Sequence, residues 1–334
     1  RRRVLQSENI AFGGGRRMGL FRNLRNGLFA KFYRRRYPIY VDAPPYDVRS
    51  GGSRAIILLA SHLTRLGYEA YVIKRPPDGT LILPGVRFLN AAIRANHTQA
   101  GRIPIAVYPE VVCGNPIETP FVVRFLLNKP GYIVPDVELS YGAEDLYVCF
   151  DLGYAPAGRP AFDLYIPLVD KSVYFPPAAE EPRKGFVIFS HHEKSELSAL
   201  PDWIDPIVEI SMDNPRSHEE LAQIYRSSIA MVTRERSAAI FEALCCGCPV
   251  IGLPNGSFTE ATYQRRFGGA GLVWGFDQDQ LAQASLNIKR FERLYKELEA
   301  NLDDRVHRAF DTSIKYFYIE ETRRLPSSIK VDTK

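Results

Sequence analysis

The sequence predicts an α/β protein built from two doubly wound, parallel-sheet domains. Three observations carry that expectation. Short apolar runs alternate with helical patterns along most of the chain, as parallel strands joined by crossover helices require. The alternation begins at Tyr37, breaks at a Pro- and Gly-rich stretch over residues 156–160, and resumes at Gly185. The chain has 334 residues, 46% hydrophobic and 24% charged, enough apolar material for two cores of moderate size.

The elements follow in order. Residues 38–42 read as a strand and residues 43–52 as a loop rich in Pro, Gly and Ser. Residues 53–66 form a strongly apolar helix closed by Gly67, and residues 68–74 a second strand. This strand, helix, strand unit places Gly51 and Gly52 where the carboxyl edge of a parallel sheet meets a helix start, the crevice in which open α/β sheets bind ligands. Residues 103–108 are a strand ending at Pro109-Glu110, residues 121–128 a helix, and residues 146–150 a strand. Residues 156–160 are the expected interdomain link. The second half repeats the pattern. Residues 185–189 are a strand entering the polar loop Ser190-His191-His192-Glu193-Lys194, and residues 207–210 are another. Residues 218–227 form a helix capped by Ser217, residues 229–232 a strand, and residues 279–300 and 304–318 two long helices.

The stretch from Glu235 to Leu253 organises the second half. It runs from a polar entry into a small-residue helix start, then through Cys248-Pro249 into an apolar strand. The helix end at Ser237 and Ala238 carries free backbone N–H groups and a positive dipole end, which suits an anion such as a diphosphate. Glu242, one turn further, is placed to accept bonds from hydroxyls of the same ligand.

Net charge is +5, but residues 1–36 hold eleven Arg or Lys and a single acid, so the rest of the chain is about −5. In that leader Leu20, Phe21, Leu24, Leu28 and Phe32 recur at helical spacing among arginines. It reads either as an amphipathic helix on an anionic membrane face or as a linker helix packed on its own body or an adjacent domain. A nucleic-acid partner is not expected, because the basic patch lacks a recognition module. With arginine first and no secretory leader, the chain reads as trimmed or as one domain of a longer protein. No apolar run reaches the roughly 18 residues of a membrane span. Five cysteines in apolar surroundings fit a reducing, cytoplasmic setting, with the inner membrane face as a further location. Asp277 and Asp279 precede a helix and read as caps rather than metal ligands, Cys245 and Cys248 as core thiols, and His62 and His97 as structural.

Asp47-Val48-Arg49-Ser50-Gly51-Gly52-Ser53-Arg54, with the turn through Leu66-Gly67-Tyr68, resembles the N-terminal glycine loop of GT-B glycosyltransferases. The likeness is to the large retaining family that builds bacterial polysaccharides. Ile166 to Asp170 with Phe175-Pro176 is similar to that family's interdomain segment, and Glu242-Ala243-Leu244 with Gly247-Cys248-Pro249-Val250 to its donor-site helix. The resemblance implies two Rossmann-like domains facing across a cleft, with a last helix crossing back. The domains are then a leader over 1–36, an acceptor domain over 37–158 joined by the returning helix over 306–330, and a nucleotide-sugar domain over 159–305.

It also implies transfer of a sugar from a nucleoside-diphosphate donor to a glycan or lipid-linked acceptor, without a metal or other cofactor. By the same resemblance Glu242 matches the ribose-binding member of a glutamate pair. The other member should lie eight positions earlier, where the chain has Arg234, and Glu235 is one position late. Either Glu235 is displaced but functional, or Arg234 contacts the donor and Glu235 is a surface residue. Ser190-His191 takes the place of a phosphate-binding Gly-Arg pair with Lys194 supplying charge, unless the loop is merely solvated. Glu110 either binds the acceptor as a base or caps the following loop, with Asn115 and Arg124 as further polar candidates on that wall. Gly256 lies in a loop expected against the donor, or in an ordinary Asn-Gly turn. Two rival readings share the fold: a nucleotide-sugar epimerase and a non-catalytic scaffold.

Overall fold

The computed structural model describes residues 28–178, 182–190, 200–211, 213–254 and 258–324. The leader up to residue 27, and with it Leu20, Phe21 and Leu24, lies outside the described residues, as do His191, Lys194 and Gly256.

Helix α1 (Leu28–Arg36) leads into β1 (Ile39–Val41), α2 (Gly51–Arg65), β2 (Ala70–Val72), α3 (Ala91–Gln99), β3 (Ile105–Pro109), β4 (Phe121–Leu126), β5 (Leu146–Cys149) and β6 (Ala161–Asp163). These six strands form one sheet in the order β2-β1-β3-β4-β5-β6, every pairing parallel. The second sheet is built from β7 (Phe186–Ser190), β8 (Pro206–Ser211), β9 (Ala230–Thr233), β10 (Val250–Gly252) and β11 (Leu272–Trp274). Its order is β11-β10-β9-β7-β8, again parallel throughout. Helices α4 (His218–Ser227), α5 (Ala238–Cys245), α6 (Glu260–Phe267), α7 (Gln278–Leu286) and α8 (Ile288–Ala300) accompany it, and α9 (Leu302–Arg324) closes the described chain. Two parallel doubly wound domains, meeting at the carboxyl ends of their strands and followed by a returning helix, constitute the GT-B architecture that the sequence predicts.

Why the strands form is plain from their composition. Ile, Val and Tyr dominate β1 and β3, β9 is Ala, Met, Val and Thr, and every residue of these strands is buried, as strands covered on both faces must be. Helix α2 is capped by Ser50, whose hydroxyl accepts from Ser53 N, and it lays Ile56, Leu59, Ala60 and Leu63 on the first sheet. Helix α4 begins with a full capping box between Ser217 and Glu220.

Three expectations change. Residues 121–126 form a strand, not a helix: the run is short and rich in β-branched and aromatic residues, and it pairs on both sides, with β3 and β5. Arg124 interrupts its apolar pattern, yet it is fully buried. It is bonded to Asp145 at 2.7 Å and stacked on Tyr141 at 4.3 Å, so its charge is paired within the sheet. Strand β6 also belongs to the first sheet, so the chain crosses to the second sheet after Asp163, beyond the Pro- and Gly-rich stretch at 156–160. The helix expected over 279–300 is two helices, broken at Asn287.

Helix α9 returns to the first domain and buries Leu302, Val306, Phe310, Ile314 and Phe317 in its core. Phe317 stacks on Phe121 with ring centroids 4.4 Å apart. Helix α1 packs on α9 in turn. Arg34 bonds Asp311 at 2.9 Å, Tyr68 donates to the same carboxylate at 2.6 Å, and Tyr33 meets Tyr318 edge to face. The end of the basic leader is therefore a strut on its own body, with Arg34 and Arg36 neutralised by Asp311 and Glu321. Among the described residues no helix is long and apolar enough to cross a membrane. Phe317→Ala should destabilise the protein by about 3–5 kcal/mol, read from the denaturant midpoint. A loss under about 1 kcal/mol would mean that α9 is only loosely docked.

Candidate functional site

The site is built where the first turns of α2 and α5 meet. Ser237 caps α5, its hydroxyl accepting from Ala239 N at 3.3 Å. A methyl placed on Gly51 would stand 3.9 Å from the Ala238 side chain and 3.8 Å from Leu168. Gly51 and Ala238 are the first residues of their helices, so two positive helix ends from different domains converge. Small residues at both positions let the backbones approach so closely.

Two charged side chains sit within this junction. Arg54, just past the first turn of α2, donates to Glu242 of α5 at 3.0 Å, with side chains 8% and 6% exposed. Arg54 also donates to the Leu168 carbonyl in the interdomain segment. Glu242, expected to meet ligand hydroxyls, is thus already held by an arginine from the opposite domain. Beside it, burial drives the Tyr174 phenol far above its usual pKa, and Glu242 adds to the effect.

The loop from β9 into α5 separates the two candidates at its tip. Glu235 is buried, its N–H donating to Thr233 Oγ1 at 3.0 Å, whereas Arg234 is exposed. The alternative in which Glu235 is a surface residue is therefore corrected: the strand end draws Glu235 inward and leaves Arg234 outside. Ser190, at the end of β7, is buried and lies on the neighbouring strand, whose Phe189 pairs with Thr233.

A second bridge lies beyond β5. Asp151 accepts from Arg236 and from Arg265 of α6, both at 2.9 Å, and the Arg236 guanidinium covers the Tyr154 ring at 4.6 Å. Asp163 pairs with Arg266 at 2.6 Å. Burial raises the pKa of Asp151, but Arg236, the Gly153 N–H, Arg266 and Arg265 outweigh it and hold the carboxyl below its ordinary value. At Asp163 burial wins over Arg266 and Arg305, and the pKa rises.

Glu110 follows β3 and is buried, its carboxylate accepting from Leu127 N at 2.9 Å. Burial raises its pKa, opposed by its own backbone N–H and those of Leu127 and Asn128. The carboxylate therefore ties the end of β3 to the loop after β4. Asn115 and Arg124 do not face a cleft. Asn115 bonds the Tyr108 hydroxyl at 2.9 Å and the Thr119 carbonyl, while Arg124 holds Asp145 and the Val112 carbonyl.

The other readings are settled locally. Asp277 caps α7 by accepting from Gln280 N at 2.9 Å. Cys245 and Cys248 are buried, and burial pushes each thiol to about 12. His97 is buried between Tyr40 and Glu69. The structure thus gathers Gly51, Ser237, Ala238 and Glu242 at one junction, with Gly52 in the same first turn of α2. It adds Arg54, Asp151, Arg236 and Arg265, which the sequence reading did not single out. Asp151 had a signal, since it directly follows a strand at the carboxyl edge.

No protein-family model matches this chain, and no curated protein sequence matches it. Among solved structures it is similar to one assigned as a UDP-N-acetylglucosamine 2-epimerase from Listeria monocytogenes, at 11% identity over 85% of this chain and 97% of that one, with a TM-score of 0.44. The glycosyltransferase VinC in complex with dTDP aligns at 14% identity over 83% and 98% of the two chains, with a TM-score of 0.43. The glycosyltransferase SnogD from Streptomyces nogalater aligns at 11% identity over 85% and 99%, also with a TM-score of 0.43. The site described above rests on this chain's own geometry.

Arg54→Ala should cost about 3–5 kcal/mol, because it strands a buried carboxylate, whereas Arg54→Met with Glu242→Met should come close to wild-type stability. A double-variant loss equal to the sum of the Arg54→Met and Glu242→Met single losses, measured by urea denaturation, would show that the pair is not coupled. Glu110→Gln should stabilise the protein at neutral and higher pH and be neutral in acid. A carboxyl with a raised pKa penalises the folded state only where it is ionised, and glutamine still accepts from Leu127 N. A urea series across pH checks this; a gain that grows as pH falls would reverse the sign.

Proposed function

We propose that this chain is a glycosyltransferase that moves a sugar from a nucleoside-diphosphate sugar to a glycan or lipid-linked acceptor. The observation that supports it best is the junction of two capped helix N-termini at the facing carboxyl edges of two parallel domains, with a buried glutamate beside it. Two positive helix ends favour an anion between them, and a departing diphosphate is the anion such a transfer creates. In this reading the N–H groups at Ser237 and Ala238 meet the diphosphate. Ser190, His191 and Lys194 on one loop and Arg234 on another add donors and charge. Gly51, Gly52 and Gly256 leave room for the ligand backbone. Glu242 takes the ribose hydroxyls once Arg54 releases it, and the buried Glu235 stands by the sugar.

On the acceptor side, Glu110 has the environment of a proton acceptor, since burial raises its pKa. The family resemblance adds retention of anomeric configuration and assigns the acceptor to the first domain. The motif resemblance to polysaccharide-building enzymes favours a saccharide acceptor on the cytoplasmic side of a membrane.

One observation favours a non-catalytic scaffold as a second reading: the Glu242 carboxylate is engaged by Arg54 across the domains. A melting-temperature panel with UDP, GDP, dTDP, CMP and their sugars separates the two. Under the transferase reading one nucleotide raises the melting temperature, and Glu242→Ala removes that shift. Release of free nucleotide that depends on an added glycan then distinguishes transfer from epimerisation. If no nucleotide shifts the wild-type protein, the scaffold reading stands.

A further inference from the structure

Glu242 has a second neighbour besides Arg54. Tyr174, buried in the segment that joins the domains, faces the Glu242 carboxylate, the charge that acts on its phenol most strongly. Its hydrogen bond goes elsewhere, to Nδ1 of His218. His218 is the first residue of α4 and only half-buried, so a chain of contacts leads from the surface through His218 and Tyr174 to Glu242.

Counting protons turns this chain into a switch. Burial, with Glu242 adding to it, holds the Tyr174 phenol so far above its ordinary pKa that the hydroxyl keeps its one proton at every working pH. That proton serves one acceptor at a time. While His218 is neutral, Nδ1 takes it through a lone pair, which puts the ring hydrogen on Nε2. Once His218 is protonated, Nδ1 is itself a donor and bonds the phenol oxygen. The phenol proton must then turn away, and the Glu242 carboxylate is the acceptor it faces.

The surrounding groups leave that choice to His218. On the interdomain segment Asp170 also faces His218, but its carboxylate is held by the N–H and hydroxyl of Ser172, at 2.9 and 2.6 Å. On the His218 side of the chain Arg216 and Glu219 are exposed, and Glu220 is engaged in the capping box. Around Tyr174 stand Arg54, which already donates to Glu242, and the Tyr225 phenol and Cys246 thiol, which burial keeps neutral.

We propose that Tyr174 and His218 are positioning residues for Glu242, and that protonation of His218 swings the Tyr174 hydroxyl onto the carboxylate and closes it to ligand. The inference rests on the transferase reading and adds a regulation of its donor site. With His218 neutral, a ligand's ribose hydroxyls compete with Arg54 for Glu242; with His218 protonated they compete with Tyr174 as well. Nucleotide-sugar affinity therefore rises with pH through the imidazole range of about pH 5–8. One competing hydrogen bond makes that rise roughly threefold to tenfold.

Two measurements on the whole chain test this. Nuclear magnetic resonance with isotope-labelled histidine nitrogens and glutamate carboxyl carbons reads the switch without ligand. Neutral His218 should be the Nε2–H tautomer, and the Glu242 carboxyl carbon should shift as His218 titrates. Tyr174→Phe should abolish that shift while His218 still titrates. An Nδ1–H tautomer, or a Glu242 carbon indifferent to His218 in the wild type, overturns the proposal. Calorimetry with UDP-glucose, GDP-glucose and dTDP-glucose, whose doubly esterified diphosphates keep a constant charge over this range, reads the consequence. The sugar nucleotide that binds should do so roughly threefold to tenfold more tightly at the alkaline end. His218→Gln and Tyr174→Phe should each flatten the profile, which a merely structural role would leave unchanged. A profile as steep in both variants as in the wild type also overturns it. If none of the three binds at any pH, the transferase reading fails while the spectra still decide whether His218 governs Glu242. Uncoupled spectra with intact nucleotide binding sink only the switch.

Discussion

The Arg54–Glu242 pair is the interaction on which the arrangement of the two domains depends. Taken alone, each residue is awkwardly placed. Arg54 puts a cation just past the first turn of a helix whose N-terminus is already positive, which the macrodipole does not favour. Glu242 puts a carboxylate into a core of Ala243, Leu244 and three buried cysteines. Together they cancel each other's charge in a place neither could occupy by itself. What is left uncancelled is the pair of helix ends, so the net field at the junction is positive although its two side chains sum to zero.

The rest of the interface follows from that geometry. Two like dipole ends repel, so the domains need attraction elsewhere, and they have it at two places. On one side Asp151 and Asp163 of the first domain face Arg236, Arg265 and Arg266 of the second, a patch of complementary charge outside the junction. On the other, α8 and α9 run on from the second domain into the core of the first, where α9 buries Val306, Phe310 and Phe317. The apolar contact is insensitive to salt and pH, whereas the charged patch is sensitive to both. In acid the charged patch therefore weakens while the apolar one does not, and within the patch Asp163, whose pKa burial raises, is protonated before Asp151, whose stabilising contribution is lost only as the pH falls through its lowered folded pKa.

Much of this fold was legible because parallel sheets buried on both faces write themselves as short apolar runs. β1, β3, β7 and β9 fall within a residue or two of where the sequence places them. The helix over 218–227 is legible to the residue through its capping box. What failed had physical reasons. β4 carries an arginine that only tertiary structure neutralises, through Asp145, Tyr108 and Tyr141. β6 is three residues long with two half-buried and one exposed, so it has no apolar signature to read. In the candidate site, Ser237-Ala238 was legible as a helix start because capping chemistry is local, whereas α2 begins at Gly51 behind its Ser50 cap, two residues before the Ser53 start read from the sequence. The burial of Glu235 beneath an exposed Arg234 was not, since it depends on how β9 turns into α5.

The partner of Glu242 was the least legible feature, and the reason is instructive. Arg54 lies 188 residues from Glu242, in a helix whose apolar face explains the neighbouring residues without it. Helix α2 needs no cation at that position for its own stability, and its dipole is better served without one. A residue that local rules disfavour and that burial punishes is retained only where a distant group compensates it. The conflict at Arg54 therefore points to its partner's helix. The same logic explains the small residues around it. Gly51 and Ala238 leave the two helix ends close enough for the arginine to reach across, and Gly247, at a φ of +70°, ends α5 in a left-handed turn that sends the chain into β10. Shortening the helix ends, bringing them together and bridging them with one buried pair are parts of a single solution. It makes a positively polarised junction out of two ordinary parallel sheets.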